Sequence, residues 1–202
     1  MKSAERLYDL LHSYARFYGD EDDPLAEFCA AWCEGIGIEE AARRLGADLD
    51  SRTDCDLRNI ADAAGDNVIL VGPCGSWTLV FQIGGFDCAR LQGLSALSRD
   101  SGRAMSVSWN INGDETLSYA IDGQMITRLS VTYPALRDGA DPHALDPYME
   151  GLRFELGSGR EGPSNEEVIS SALTLIGRIT GREIDREWLD GTHALYVMPS
   201  QS

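Results

Sequence analysis

From Val68 to Val131 the chain alternates in size and polarity with a period of two. The run Trp77-Thr78-Leu79-Val80-Phe81-Gln82-Ile83 shows it, as do Met105-Ser106-Val107-Ser108-Trp109-Asn110-Ile111 and Leu117-Ser118-Tyr119-Ala120-Ile121. Successive side chains leave a strand on opposite sides, so such runs have one buried and one wet face. Turn residues punctuate them. Gly72-Pro73-Cys74-Gly75 separates Val68–Val71 from Trp77–Ile83, and Asn112-Gly113-Asp114 and Asp122-Gly123 read as hairpin turns. Asn, Asp and Gly tolerate the positive φ that such turns demand. A further strand after Gly123 offers Met125, Leu129 and Val131 to the core. These residues predict a twisted antiparallel sheet of about five strands.

Helical patterns flank and interrupt this region. Leu7, Leu10, Leu11, Tyr14 and Tyr18 form one stripe over residues 4–18. After the acidic link Asp20–Asp23, Asp23 and Pro24 suit the start of a helix that buries Leu25, Phe28, Cys29 and Trp32 and stops at Gly35. From Ile38 to Leu45, Glu39 and Glu40 precede Arg43 and Arg44, an order that matches the helix dipole, and Gly46 terminates it. Residues 52–64 are read as another helical turn or two. Asp87 is placed to cap a helix through Leu97 with Leu91, Leu94 and Leu97 apolar. After the Gly- and Ser-rich segment 157–163, Ser164 and Glu167 form a capping box. Val168, Ile169, Ala172, Leu175, Ile176 and Ile179 continue the stripe to Gly181, and Asp185 opens a single turn ending in Trp188 and Leu189.

Totals narrow the class. The 202 residues are 43% hydrophobic, ordinary for one folded domain, and no apolar run approaches the roughly 20 residues needed to span a bilayer. The first residues run into an amphipathic helix without the features of a signal peptide, which points to a cytoplasmic protein. Five cysteines, an odd and irregularly spaced set, fit buried reduced thiols better than a disulfide framework. The formal charge is −16, and residues 1–66 carry sixteen acids against seven bases. That field repels nucleic acid and anionic membrane and favours a basic partner. Lys2 is the only lysine, the codon bias of a GC-rich genome.

No motif specifies a reaction. Gly35-Ile36-Gly37 follows a predicted helix and lacks the third glycine of a dinucleotide fingerprint. Ile36–Gly46 resembles the first half of a helix-turn-helix, but the recognition helix would carry Asp54, Asp56 and Asp62 toward phosphates, which argues against DNA. Cys29 and Cys33 stand one helical turn apart without a second ligand pair, so no metal is expected and no cofactor either. Cys74 in its turn and Cys88 near a helix start are candidate nucleophiles only by position. The wet strand face is the better candidate. Ser106, Ser108 and Asn110, with Thr116 and Ser118 beside them, offer hydroxyl and amide groups to a ligand or a partner's edge.

Several spaced motifs resemble an uncharacterised actinobacterial family of unknown function. They are Ser76-Trp77-Thr78-Leu79-Val80, Ser106-Val107-Ser108-Trp109-Asn110-Ile111-Asn112 and Tyr119-Ala120-Ile121-Asp122-Gly123, with the entry Phe28–Gly35 leading to Ala42–Gly46 and the tail Leu175–Leu189. The resemblance spans residues 25–190 and brings no activity or catalytic residues with it.

The expected fold is therefore α+β: an antiparallel meander of about five strands with one helical insertion, covered on one face by N- and C-terminal helices. Residues 1–66 form the helical segment, 67–156 the sheet core, 157–163 the linker and 164–202 the C-terminal part of one domain. The leading functional expectation is a non-catalytic intracellular binding protein for a protein partner of basic character in defence, immunity or regulation. The alternative is an enzyme or small-ligand protein with a pocket between sheet and helices. Trp77, Ser106, Ser108, Trp109, Asn110, Asn112 and Tyr119 are the candidate binding residues.

Overall fold

A computed structural model describes residues 7–15, 28–60, 67–83, 85–110, 115–154 and 162–199, with the backbone alone at residues 15, 28 and 83. Asn112 and its turn, the Asp20–Asp23 link, the Asp23–Pro24 cap, Leu25 and residues 157–161 lie outside the described residues. The elements are α1 (Leu7–Ala15), β1 (Phe28–Glu34), α2 (Ile38–Arg44), β2 (Asp48–Asp56), β3 (Val68–Cys74), β4 (Trp77–Ile83) and α3 (Leu91–Ser98). Then follow β5 (Arg103–Trp109), β6 (Thr116–Ile121), β7 (Gln124–Ser130), β8 (Arg137–Asp138), α4 (Asn165–Thr180), α5 (Arg186–Leu189) and β9 (Thr192–Val197). The strands make one antiparallel sheet in the order β2-β9-β3-β4-β1-β5-β6-β7-β8.

Among the described residues the sheet thus has nine strands and not about five, and three segments account for most of the difference. Phe28–Glu34 is not a helix but β1, seated between β4 and β5. Ala30 and Trp32 enter one layer of core and Cys29, Ala31 and Cys33 the other, all at 0–1% exposure. A strand buried on both sides has no wet and dry alternation, and a short apolar run of that kind cannot be told from a buried helix by periodicity. Residues 48–56, part of them read as helical, are the edge strand β2, followed by a 3-10 turn at Leu57–Asn59. Its polar sequence carries little strand signal, and its order comes from pairing with β9. That partner, near the C-terminus, was not anticipated.

Coverage differs too, because helices occupy both faces. One face carries the large residues Trp32, Trp77, Leu79, Phe81, Met105, Trp109 and Leu195, packed against α1, α4 and α5 through Leu11, Ile169, Leu173, Ile176 and Trp188. The other carries small ones: Cys29, Ala31, Cys33, Val71, Val80, Ala104 and Ala120, packed against α2 and α3 through Ala41, Ala42, Leu94 and Leu97. Small side chains on both partners let these short helices sit close to the sheet. The helix ends largely match expectation. Ser164 and Glu167 form the capping box of α4, Gly181 closes it at φ 79°, and Asp185 caps α5. Helix α3, however, starts at Leu91 after Arg90, while Asp87 accepts a hydrogen bond from Gln82 Nε2 at 2.8 Å.

On the large-residue face His193 is stacked on Trp188 with ring centroids 4.1 Å apart, and its Nε2 donates to the Trp188 carbonyl at 2.7 Å. Its Nδ1 has no partner among the described residues and lies so close to Gly72 that a Cβ there would come within 2.1 Å of it. Glycine at position 72 is what makes room for the imidazole. Burial pushes the His193 pKa below its ordinary value of 6.5. The unfolded chain therefore binds this proton more readily than the folded one. Stability from neutral His193 is full above pH 6.5 and is lost as pH falls below it toward the depressed folded value. The melting temperature of His193→Gln is expected to fall less between pH 7.5 and 5.5 than that of the parent; equal slopes would show that His193 is not the group responsible.

Candidate functional site

The small-residue face is only partly roofed. α2 packs over β2, β3 and β4, and α3 over β1 and the Ala104–Ala120 end of β5, β6 and β7; beyond the start of α3 the same strands continue toward Ser108 and Thr116. A cavity of about 1010 Å³ lies there, at the upper limit of the range of small-molecule sites. Ser108 on β5, Thr116 and Ser118 on β6 and Arg128 on β7 line its sheet side. Phe86, Ala89, Arg90 and Leu91, from the start of α3 and the segment before it, line another side. Ser130, Tyr133, Asp138 and Gly139 line a third, and Asn110, Glu115 and Met125 complete it.

Strand register explains why these residues meet. Ser108 pairs with Thr116, and Thr116 with Ser130; one step along, Ser106 pairs with Ser118, Ser118 with Arg128, and Arg128 with Asp138. Directly paired residues share a face with Cβ atoms about 5 Å apart, and residues two apart on a strand lie roughly 7 Å apart on that face. The same two rows continue under the helices as Cys29 and Gln82, and as Ala31 and Val80. The face therefore changes from small and apolar beneath α2 and α3 to hydroxyl-bearing beneath the cavity.

Burial inside the site is uneven. Ser118 is 1% exposed, yet the hydroxyls of Ser108, Thr116 and Ser118 make no hydrogen bond among the described residues. Arg128 makes no ion pair or hydrogen bond among them either, although Asp138 is its register partner. Glu115 is 7% exposed and accepts a hydrogen bond from the Thr132 hydroxyl. Arg90 pairs with Asp87 at 3.2 Å.

The candidate residues divide between the two faces. Ser108 and Asn110 line the cavity, and Ser106 belongs to the same face but is buried at 1% exposure. Trp77, Trp109 and Tyr119 belong to the opposite, large-residue core. There the Arg103 guanidinium lies 5.2 Å from the Trp77 ring centroid and holds Glu34 through contacts of 2.6 and 2.7 Å. Hydrogen bonding to Arg103 lowers the Glu34 pKa, and the bond to Glu34, with a further one to Tyr119, raises that of Arg103. Arg128, Ser130 and Tyr133 were not anticipated. Arg128 does follow the same period-two rule, since it sits opposite Ser118, but only the register reveals it.

Burial disfavours the thiolate form that a nucleophile needs. All five cysteines are buried, and Cys74 and Cys88 both have pKa values raised by desolvation, as has Cys33, pushed up to about 12. Among the described residues no group of His, Cys, Asp and Glu is arranged to hold a metal ion, and no helix is long and apolar enough to cross a membrane.

Comparison with curated proteins and with solved structures finds no match. A family model does match, over residues 20–200, nearly the whole chain. The chain belongs to DUF6461, a family of unknown function.

Proposed function

We propose that this protein is a small-ligand-binding protein and that the ligand occupies the cavity between the start of α3 and the β5–β7 part of the sheet. The observation that carries the reading is the cavity floor, where three hydroxyls, one of them on the almost fully buried Ser118, have no partner among the described residues. None of the three oxygens is among the wholly buried unpartnered side-chain atoms, so each keeps an opening through which a ligand can supply the hydrogen bond. The lining contains no His, Cys or Lys, so the reading stops at binding and includes no catalytic step.

The test is a melting-temperature screen against a library of neutral, cationic and anionic small molecules at millimolar concentration. A ligand at 100 times its Kd stabilises by about 2.7 kcal/mol. For a domain of this size that raises Tm by roughly 5–10 °C. Ser118→Leu, which fills the floor, should abolish the shift of any hit. A library without a single stabilising compound would end the proposal.

Binding of a basic protein partner is a second reading, favoured by the net charge of −16 and by the exposed Asp48, Asp50 and Asp54 on the edge strand β2. Retention of a basic protein on the tagged chain, lost at high salt, would support it over the first.

A further inference from the structure

We propose that the ligand is an organic oxyanion, a carboxylate or phosphate group joined to an apolar body, with its charged head against Arg128 and the hydroxyls of Ser118, Thr116 and Ser108. This rests on the ligand-binding reading above and adds the chemistry that the cavity selects.

Four observations converge on it. First, Arg128 makes no ion pair among the described residues, in a chain with sixteen more acids than bases, although Asp138 stands opposite it. Among the described residues nothing accepts from its five N–H groups, which have the fork geometry that matches carboxylate and phosphate. Second, the hydroxyls of Ser118 and Thr116, without a partner among the described residues, lie on the same face of the sheet, Ser118 directly opposite Arg128. Arginine beside hydroxyls supplies several donors within roughly 7 Å, which suits an acceptor with two or three oxygens. Third, helix α3 begins at the cavity wall. Its N-cap is Arg90, no side chain caps it, and Arg90 and Leu91 line the cavity. An uncapped helix start presents unpaired N–H groups and the positive end of the dipole, both of which favour an anion. Fourth, apolar side chains stand among the polar ones in the rest of the lining. Leu91 and Tyr133 are 62% and 58% exposed, and Phe86 and Met125 line the cavity with them, so an apolar body has surface to cover. The two acids present do not reverse the balance. Glu115 is engaged by Thr132, and Asp138 lies on the two-residue strand β8 at the sheet edge.

The experiment is titration calorimetry on the full chain at low salt with five probes: benzoate, phenyl phosphate, inorganic phosphate, benzyl alcohol and benzylamine. Benzoate or phenyl phosphate should bind at least tenfold more tightly than benzyl alcohol. Whichever of the two is stronger identifies the head group as carboxylate or phosphate, and inorganic phosphate should be weaker than phenyl phosphate if the apolar body contributes. Arg128→Gln should weaken the anion at least tenfold with Tm within about 2 °C of the parent, as expected for an exposed side chain without partners. Arg128→Lys should retain part of the affinity, since it keeps the charge and loses the fork. Preference for benzyl alcohol or benzylamine, or anion binding unchanged in Arg128→Gln, would overturn the oxyanion assignment. If none of the five probes binds while the wider library yields other ligands, the assignment fails and the pocket reading survives. If the library yields none, both fail.

Discussion

A chain ending at Asp190 should not fold. The truncation removes β9, which lies between β2 and β3 and is the only neighbour of β2 in the sheet. Leu195, Tyr196 and Met198 are 1–5% exposed. Burying each such side chain contributes about 1.5–3 kcal/mol, so the three alone account for roughly 5–9 kcal/mol. A typical domain has only about 5–15 kcal/mol of net stability. The loss also turns β3, whose residues 68–71 are fully buried, into an unpaired edge, the kind of surface that aggregates. The truncated chain is expected in the insoluble fraction, or without a cooperative melting transition. A soluble product melting within about 5 °C of the full chain would show that β9 is an accessory strand and that the sheet order is wrong.

The second large effect is expected at Trp32. It sits on β1 between Leu79 of β4 and Met105 of β5, at 1% exposure, within the large-residue core. Trp32→Ala should cost about 3–5 kcal/mol through lost burial and the cavity left behind. That lowers Tm by roughly 6–20 °C at 2–4 °C per kcal/mol. Trp32→Phe, which keeps most of the ring volume, should cost less than half as much. If Phe28–Glu34 were an outer helix, Trp32 would lie at a helix–sheet seam and its neighbour Ala31 could be enlarged freely. In the strand, Ala31 faces the close-packed layer beneath the short helices, so Ala31→Leu should also destabilise, by about 1–3 kcal/mol. Thermal melts of the three variants decide the matter: a tolerated Ala31→Leu contradicts the placement of β1.

The candidate site shows how far residue pattern reaches. Ser108 and Asn110, two polar positions of one period-two run, both line the cavity. The same alternation separates Trp77, Trp109 and Tyr119 from them, because odd and even positions leave the sheet on opposite sides. The polar face is also less wet than the alternation suggested. Ser106 and Ser118 are each 1% exposed, since short helices cover part of a face that small side chains keep low.

What the sequence by itself determined is local. It set the period-two strands around Trp77, Met105 and Leu117, the tight turn at Asp122-Gly123, the capped helix Asn165–Thr180, and the membership of β5 and β6 residues in opposite faces. These follow from short-range sterics and hydrogen bonding within a few residues. What only the tertiary structure decided is pairing over long distances: β1 between β4 and β5, β9 between β2 and β3, and Arg128 opposite Ser118 at the cavity floor. Such pairings are stabilised by contacts between segments far apart in the chain, so no window of sequence contains both halves of the interaction that fixes them.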